Sequence, residues 1–547
     1  MKTMRIVVCV LTCLLALSPA SSSYGAASAS LDEKLEGIKQ VVVIYAENRS
    51  FDNIFGMLSN SEIEGIKQAL ADPAHYKQID RDGTIPDHLP PVWLETKGEH
   101  PLADPRFKKV PNKPFEIDKV DGPDMLMGER TRDLVHMFYQ NKEQIDGGAL
   151  DRYAEVSDAG GLVMAYYDGS ELELAKLAKQ YTLADHFFMA AYGGSFLNHM
   201  WLICACTPQY HAAPGYPPLD PTEDKKRERE KRQLIELDDA GTFLKRADGS
   251  PASMFDGPPV FKTPKGSYVR RRNKDNQEEG PYFAVNTLQP AYQPSYIPPD
   301  PAQPAYASTE GDVRALPPLT ETTIGDRLDE QHVAWAWYAE GWDEALADRN
   351  AIYNVKFSGY PDFHPHHQPF NYFAEFDPGT VEGKKNRAVH LKDADVFLED
   401  LEAHAGDKFV AFYKPQGIYN QHPGYADVAT GDHHIAQLVR AIMKTDAWKS
   451  TVIIVTYDEN GGFWDHVPPP KGDYWGPGTR IPAIIISPFS KCGAVDKTKY
   501  DTTSILKFLV RRFKLEALPG LKDRPNAGDL TNALDLSGAH PEGCGAG

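Results

Sequence analysis

Two pairs of oxygen-bearing side chains carry the first chemical signal in this chain, Glu47-Asn48 and Asp458-Glu459. The first pair closes the apolar run Val41-Val-Val-Ile-Tyr-Ala46, and the second closes Thr451-Val-Ile-Ile-Val-Thr-Tyr457. Short β-branched runs of this kind read as buried strands. Ligand crevices in open α/β sheets lie just beyond the carboxyl ends of such strands. With the two strands side by side, three carboxylates and one amide converge on a point. Buried carboxylates need a counter-charge, so the expected partner is one divalent metal ion held by Glu47, Asn48, Asp458 and Glu459. Oxygen ligation favours calcium, magnesium or manganese, and zinc accepts carboxylates as well. A helix start accounts for Ser50 and Asp52 in the following Arg-Ser-Phe-Asp segment, but it leaves Glu47 without a role. Asn48-Arg-Ser50 is formally a glycosylation sequon, set aside because Asn48 is expected inside the site.

A nucleophile is offered by Tyr192-Gly-Gly-Ser195-Phe-Leu-Asn-His199. Glycines ahead of a serine allow a tight turn and present backbone N–H groups at a helix start, where an anion is favoured. The spacing is not the Gly-x-Ser-x-Gly elbow of the α/β-hydrolases. Histidines gather in the loops expected around these elements: His364, His366 and His367 in Phe363-His-Pro-His-His-Gln-Pro-Phe370, His422 in Asn420-Gln-His-Pro-Gly424, and His136 in Asp133-Leu-Val-His136. Loop histidines after strand ends suit phosphate binding and proton donation to a leaving oxygen. His433-His434, after Gly431-Asp432, read as part of a helix cap.

The elements that must position these groups alternate between strand and helix patterns. Strand-like runs fall at Gln40–Ala46, Val333–Tyr338, Phe409–Tyr413, Thr451–Tyr457 and Ala483–Ile486; helical patterns fall at Ser170–Gln180, Asp393–Ala405 and Ile435–Met443. This alternation predicts an α/β fold with a sheet covered on both faces. Residues 205 to about 315 interrupt it as an insertion or lid. That stretch holds the mixed-charge run Glu223–Arg232 and the Pro/Tyr-rich run Gln289–Ala307, too proline-dense for a helix or a central strand.

Residues 1–27 read as a secretory signal, with basic Lys2 and Arg5, an apolar Ile6–Leu17 and a small-residue cleavage site near Gly25-Ala-Ala27. The remainder, 28–547, reads as a single domain, secreted or periplasmic, with no stable membrane insertion. Losing two basic residues takes the formal net charge from −19 to −21. So acidic a surface argues against nucleic-acid binding. It also requires a metal, arginines or protonated histidines to draw a phosphate in, which makes an acidic pH optimum the expectation. The mature chain keeps Cys204, Cys206, Cys492 and Cys544. Cys492 and Cys544 can tether the tail, whereas Cys204 and Cys206 are either a pair or two core thiols.

Four motifs, Ala46-Glu-Asn-Arg-Ser-Phe-Asp52, Ala191-Tyr-Gly-Gly-Ser195, Asn420-Gln-His-Pro-Gly424 and Tyr457-Asp-Glu-Asn-Gly-Gly-Phe-Trp-Asp-His-Val467, together resemble the bacterial phospholipase C / acid phosphatase phosphoesterase family. The resemblance implies a three-layer α/β/α sandwich with a central, mostly parallel sheet, alkaline-phosphatase-like in plan. It implies Glu47, Asn48, Asp458 and Glu459 as metal ligands and Ser195 as nucleophile, with His136, His366, His367 and His422 around the phosphate. The expected activity is hydrolysis of small phosphorylated substrates by a secreted acid phosphatase through a phosphoserine. Phospholipase C cleavage of choline-type phospholipid head groups is the alternative. A cation-binding protein without turnover is disfavoured because nucleophile and ligand set are both present.

Overall fold

The computed structural model of the chain describes residues 30–80, 82–94, 103–119, 122–210, 268–272, 278–310, 312, 314–352, 363–537 and 544. The expected signal segment and the run Glu223–Arg232 lie outside these residues. Among the described residues the main sheet has eight strands: β1 (Gln40–Ala46), β2 (Thr182–Ala184), β3 (Ala334–Ala339), β4 (Leu391–Lys392), β5 (Phe409–Lys414), β6 (Thr451–Tyr457), β7 (Ala483–Ile486) and β8 (Val495–Asp496). Their spatial order is β4-β3-β5-β1-β6-β7-β2-β8. Only β7 runs antiparallel to its neighbours. β1, β5 and β6 are buried at every position, which is why their sequences are continuous β-branched and aromatic runs rather than alternating ones.

The helices that matter for the site are α1 (Phe51–Ile54), α2 (Phe138–Ile145), α3 (Glu173–Gln180), α4 (Ser195–Cys204), α5 (Phe397–Ala403), α6 (Val428–Ile442) and α7 (Thr503–Phe513). Side chains alternate across a strand, and two tyrosines mark what covers each face. The Tyr45 hydroxyl donates to the Asn198 carbonyl of α4 at 3.2 Å. Tyr457 points to the other face and donates to Gln421 Oε1, and the Gln421 amide in turn donates to Val428 O at the start of α6, at 2.8 Å. Helices therefore cover both faces, and the expected three-layer, mostly parallel α/β/α sandwich is the observed one. α6 buries Val428, Ile435, Val439 and Ile442, a stripe at helical spacing.

Several local expectations change. Asp427, not Asp432, caps α6, accepting from Thr430 N–H at 2.7 Å. Asp432 lies inside that helix and caps α3 instead, accepting from Glu173 and Leu174 N–H at 2.6 and 2.9 Å. The sequence Asp393–Ala405 forms a 3₁₀ turn followed by the shorter α5. The Pro/Tyr-rich stretch is irregular and packs behind the histidine loop, where Asn371 Nδ2 donates to Tyr292 O and the Tyr372 hydroxyl donates to Leu288 O. Both cysteine pairs are disulfides, Cys204–Cys206 and Cys492–Cys544.

Candidate active site

Strand register assembles the centre. Ala46 pairs with Tyr457 across β1 and β6, so Glu47 and Asp458 leave the sheet at one level. The two-residue repeat places both on the Tyr45 face, under α4. On the other side of β1, Ile44 pairs with Tyr413 of β5, which sets Lys414 beside Tyr45. The Lys414 ammonium, with no exposure, lies 3.1 Å from Glu47 Oε1 and 3.9 Å from Asp458 Oδ2. Asn48 has the opposite parity, but its left-handed backbone (φ 61°) brings its N–H to Asp458 Oδ1 at 3.2 Å. Gly461 has to be glycine, because a Cβ there would meet Asn48 O at 2.3 Å. Its N–H donates to Glu459 Oε2 at 2.6 Å.

From above, the turn before α4 delivers Ser195. Gly193 sits at φ 93°, with Phe138 N 2.5 Å from where its Cβ would be. Asn198 locks the turn, exchanging bonds with Ala191 N and O at 3.0 and 3.2 Å. The Ser195 hydroxyl donates to Asn48 Oδ1 at 3.3 Å. One helical turn on, His199 Nδ1–H donates to Ser195 O at 2.7 Å, so its Nε2 is the free acceptor.

The expected histidines all lie in this same cluster. His367 Nε2 donates to Glu47 Oε1 at 2.5 Å, and the His366 ring stands edge-on to it at 4.9 Å. His136 Nε2 lies 3.7 Å from Glu459 Oε1, and the His136 and His422 rings meet at 5.4 Å. His433 and His434 lie elsewhere, pairing with Glu173 and Glu340. Four further residues touch the centre. Asn420 Nδ2 and the Tyr425 hydroxyl both donate to Glu47 Oε2, and Lys414 and His199 are described above. Lys414 ends an apolar strand as Glu47 and Asp458 follow theirs, and His199 is four residues from Ser195; both signals were present in the sequence.

Charges in the centre are not evenly compensated. Burial pushes Glu47 up, but His367 and Lys414 outweigh it and hold the carboxyl well below its ordinary value. Burial raises Asp458 to about 7 despite Lys414, and it raises Glu459 well above its ordinary value despite His136. The expectation of several protonated histidines needs correction, since burial pushes His366 and His422 well below the ordinary value and His367 to about 4. Of the four expected histidines only His136 goes the other way: burial lowers it, yet Glu459 and Asp133 lift it to about 9.

A divalent cation suits the Asp458 and Glu459 oxygens, whereas both Glu47 oxygens are already engaged by His367, Lys414, Asn420 and Tyr425. Among the described residues, Asp458 Oδ2, Glu459 Oε1, Asn48 Nδ2, His199 Nε2 and His366 Nδ1 are buried without a hydrogen-bond partner. Leaving a buried polar atom unpaired costs about 1–3 kcal/mol, more when it is charged. One lysine and one cationic histidine face three carboxylates here, and the orphaned oxygens are hard donors of the kind such an ion takes.

Behind the centre, Arg480 ties the loops together. Its Nε donates to Asp465 Oδ1 at 2.9 Å and an Nη to Asp52 Oδ1 at 3.1 Å. Asp52 Oδ2 accepts from His466 Nδ1 at 2.6 Å. Burial raises Asp52, but His466 and Arg480 bring it below its ordinary value; burial lowers His466, but Asp52 lifts it above. The depressed Asp52 contributes stability above its unfolded pKa that is lost as pH falls through the folded value. The raised His466 contributes stability below its unfolded pKa that is lost as pH rises through the folded value. The pair is therefore most stabilising between about pH 4 and 6.5. His466→Gln is expected to lower the thermal midpoint most in that window and less at pH 9; an equal loss at pH 5 and pH 9 would contradict this.

Comparison with known proteins adds an independent line. Residues 38–516 match the family described as the Phosphoesterase family. The chain is similar to phospholipase C A of Mycobacterium tuberculosis, 31% identical with 92% of this chain and 78% of that protein covered. It is similar to phospholipase C B of the same organism at 24% identity and the same coverage. Among solved structures, a protein in the alkaline phosphatase superfamily from Vibrio parahaemolyticus is similar at 17% identity, with 38% of this chain and 50% of that one covered and a TM-score of 0.23.

Proposed function

The chain belongs to the phosphoesterase family and is a phosphoric ester hydrolase; from that premise we propose that it is a metal-dependent phosphodiesterase of phospholipase C type that works through a phosphoserine at Ser195. The observation that carries the reading is the Ser195 hydroxyl at a helix start, 3.3 Å from Asn48 and over the Glu47–Asp458 pair. The relatives' names favour diesters over the monoesters expected of an acid phosphatase, which remains the second reading because one nucleophile serves both.

Glu47, Asn48, Asp458 and Glu459 would hold the ion, which would polarise a phosphoryl oxygen and lower the pKa of the serine hydroxyl. Ser195 Oγ attacks phosphorus in line with the leaving oxygen, its proton passing to the Asp458 carboxylate beside it and returning when the phosphoserine is hydrolysed. His136, cationic near neutrality, gives its Nε2 proton to that oxygen. Neutral His136 then takes a proton from the water that hydrolyses the phosphoserine. His366, His367 and His422 line the phosphoryl position, and Lys414 with His136 counters the repulsion of an acidic surface. Export follows from the reading of residues 1–27 and belongs to the same proposal.

The test is hydrolysis of bis-p-nitrophenyl phosphate against p-nitrophenyl phosphate, before and after chelation. The expected result is diester turnover that chelator abolishes and that calcium, magnesium, manganese or zinc restores, the restoring ion identifying the cofactor. Undiminished turnover after complete metal removal would overturn the proposal, and turnover of the monoester alone would return the protein to the acid phosphatase reading.

A further inference from the structure

Helix α2 joins the catalytic loops to an aromatic surface that the chemistry above does not use. Asn141 of α2 accepts from Gly193 N–H at 3.4 Å, and its amide donates to Asn460 Oδ1 at 3.4 Å. One helix thus touches both the nucleophile turn and the loop after the carboxylate pair. Phe138, two residues beyond His136, packs against Tyr192, Tyr474 and Trp475 at ring distances of 6.0, 6.3 and 6.0 Å. Tyr192 is three residues from Ser195, within about 11 Å along the chain. Tyr474 is 48% exposed, so this shelf opens outward.

The shelf is fixed in place. Trp475 O accepts from Tyr192 N–H at 2.7 Å. Asp473 accepts from Trp475 N–H at 2.8 Å, and Arg524 grips the same carboxylate at 2.9 and 3.0 Å. Lys142, next to Asn141, lies across the shelf with its ammonium 4.3 Å from the Tyr474 centroid and 5.6 Å from that of Tyr192. The aromatic faces that would attract a cation already hold one. A second cation must displace it and meet like charge, whereas a neutral ring can stack and an anionic group can pair with the ammonium.

We propose that this shelf is the subsite for the organic group of the ester, and that Lys142 makes it select neutral aromatic or anionic groups over quaternary ammonium groups. The inference rests on the phosphoesterase reading and narrows its substrate class, setting it against choline esters.

The test is calorimetric binding of phenyl phosphate and phosphorylcholine to full-length Ser195→Ala protein with saturating divalent cation. The parent is expected to bind phenyl phosphate about fivefold or more tighter. Adding Lys142→Met should shrink that preference about fivefold, the scale of one cation–π contact. Tyr474→Ala should weaken phenyl phosphate by a similar factor relative to inorganic phosphate. Preferences within twofold of the parent in both variants would overturn the subsite. Turnover of the wild-type enzyme is measured in parallel. Diester hydrolysis with unmoved preferences defeats the subsite and leaves the functional reading standing; shifted preferences without any turnover uphold the subsite and defeat the functional reading.

Discussion

Ser195→Ala is expected to lower kcat by roughly 10⁴-fold, about 5.5 kcal/mol of barrier, while the protein stays folded and keeps its metal affinity. The hydroxyl donates to Asn48 at 3.3 Å and lies beside the Asp458 carboxylate, and a hydrogen bond of this kind contributes about 1 kcal/mol to stability. The turn that carries it is held by other groups, Asn198 across Ala191 and Gly193 against Phe138. The loss therefore falls on the reaction. Burst kinetics separate the two readings of a residual rate: a variant without a nucleophile gives no burst. A kcat within tenfold of wild type would remove Ser195 from the mechanism and leave direct attack by water.

Lys414→Met has the second large expected effect, and it acts on the metal-free protein. The ammonium is buried between Glu47 and Asp458, and removing one partner of a buried ion pair costs about 3–5 kcal/mol because the other charge stays buried. Methionine keeps the volume and loses only the charge. Chemical denaturation in chelator should show that loss. Saturating divalent cation should recover more stability in the variant than in wild type, since the ion then supplies the missing positive charge. A variant as stable as wild type in chelator would mean that the carboxylates are balanced in some other way.

The central strands and the metal-ligand candidates were legible because the residues that form them are local. Val41 to Ala46 and Thr451 to Tyr457 are apolar runs, and the groups just beyond them are the chemistry. β2, β4 and β8 were not legible, since two or three residues carry no periodicity and their pairing depends on a sheet already built. Asp432 misleads for a similar reason: it follows a glycine and resembles a cap, yet the helix it caps begins at Glu173, more than two hundred residues earlier. Lys414 obeys the rule that picks out Glu47, but the apolar run reads as ending at Tyr413, one residue short of it. The histidines are legible as a group, but their charge is not. Burial among other imidazoles keeps most of them neutral, with Lys414 adding to it at His367, and no sequence pattern reports that enclosure.

The most direct measurement is mass spectrometry of the acid-quenched enzyme during turnover of bis-p-nitrophenyl phosphate. The account predicts a phosphoryl adduct on the peptide containing Ser195, absent after chelation and absent in Ser195→Ala. Full turnover with no adduct at Ser195, and an undiminished rate in Ser195→Ala, would contradict it.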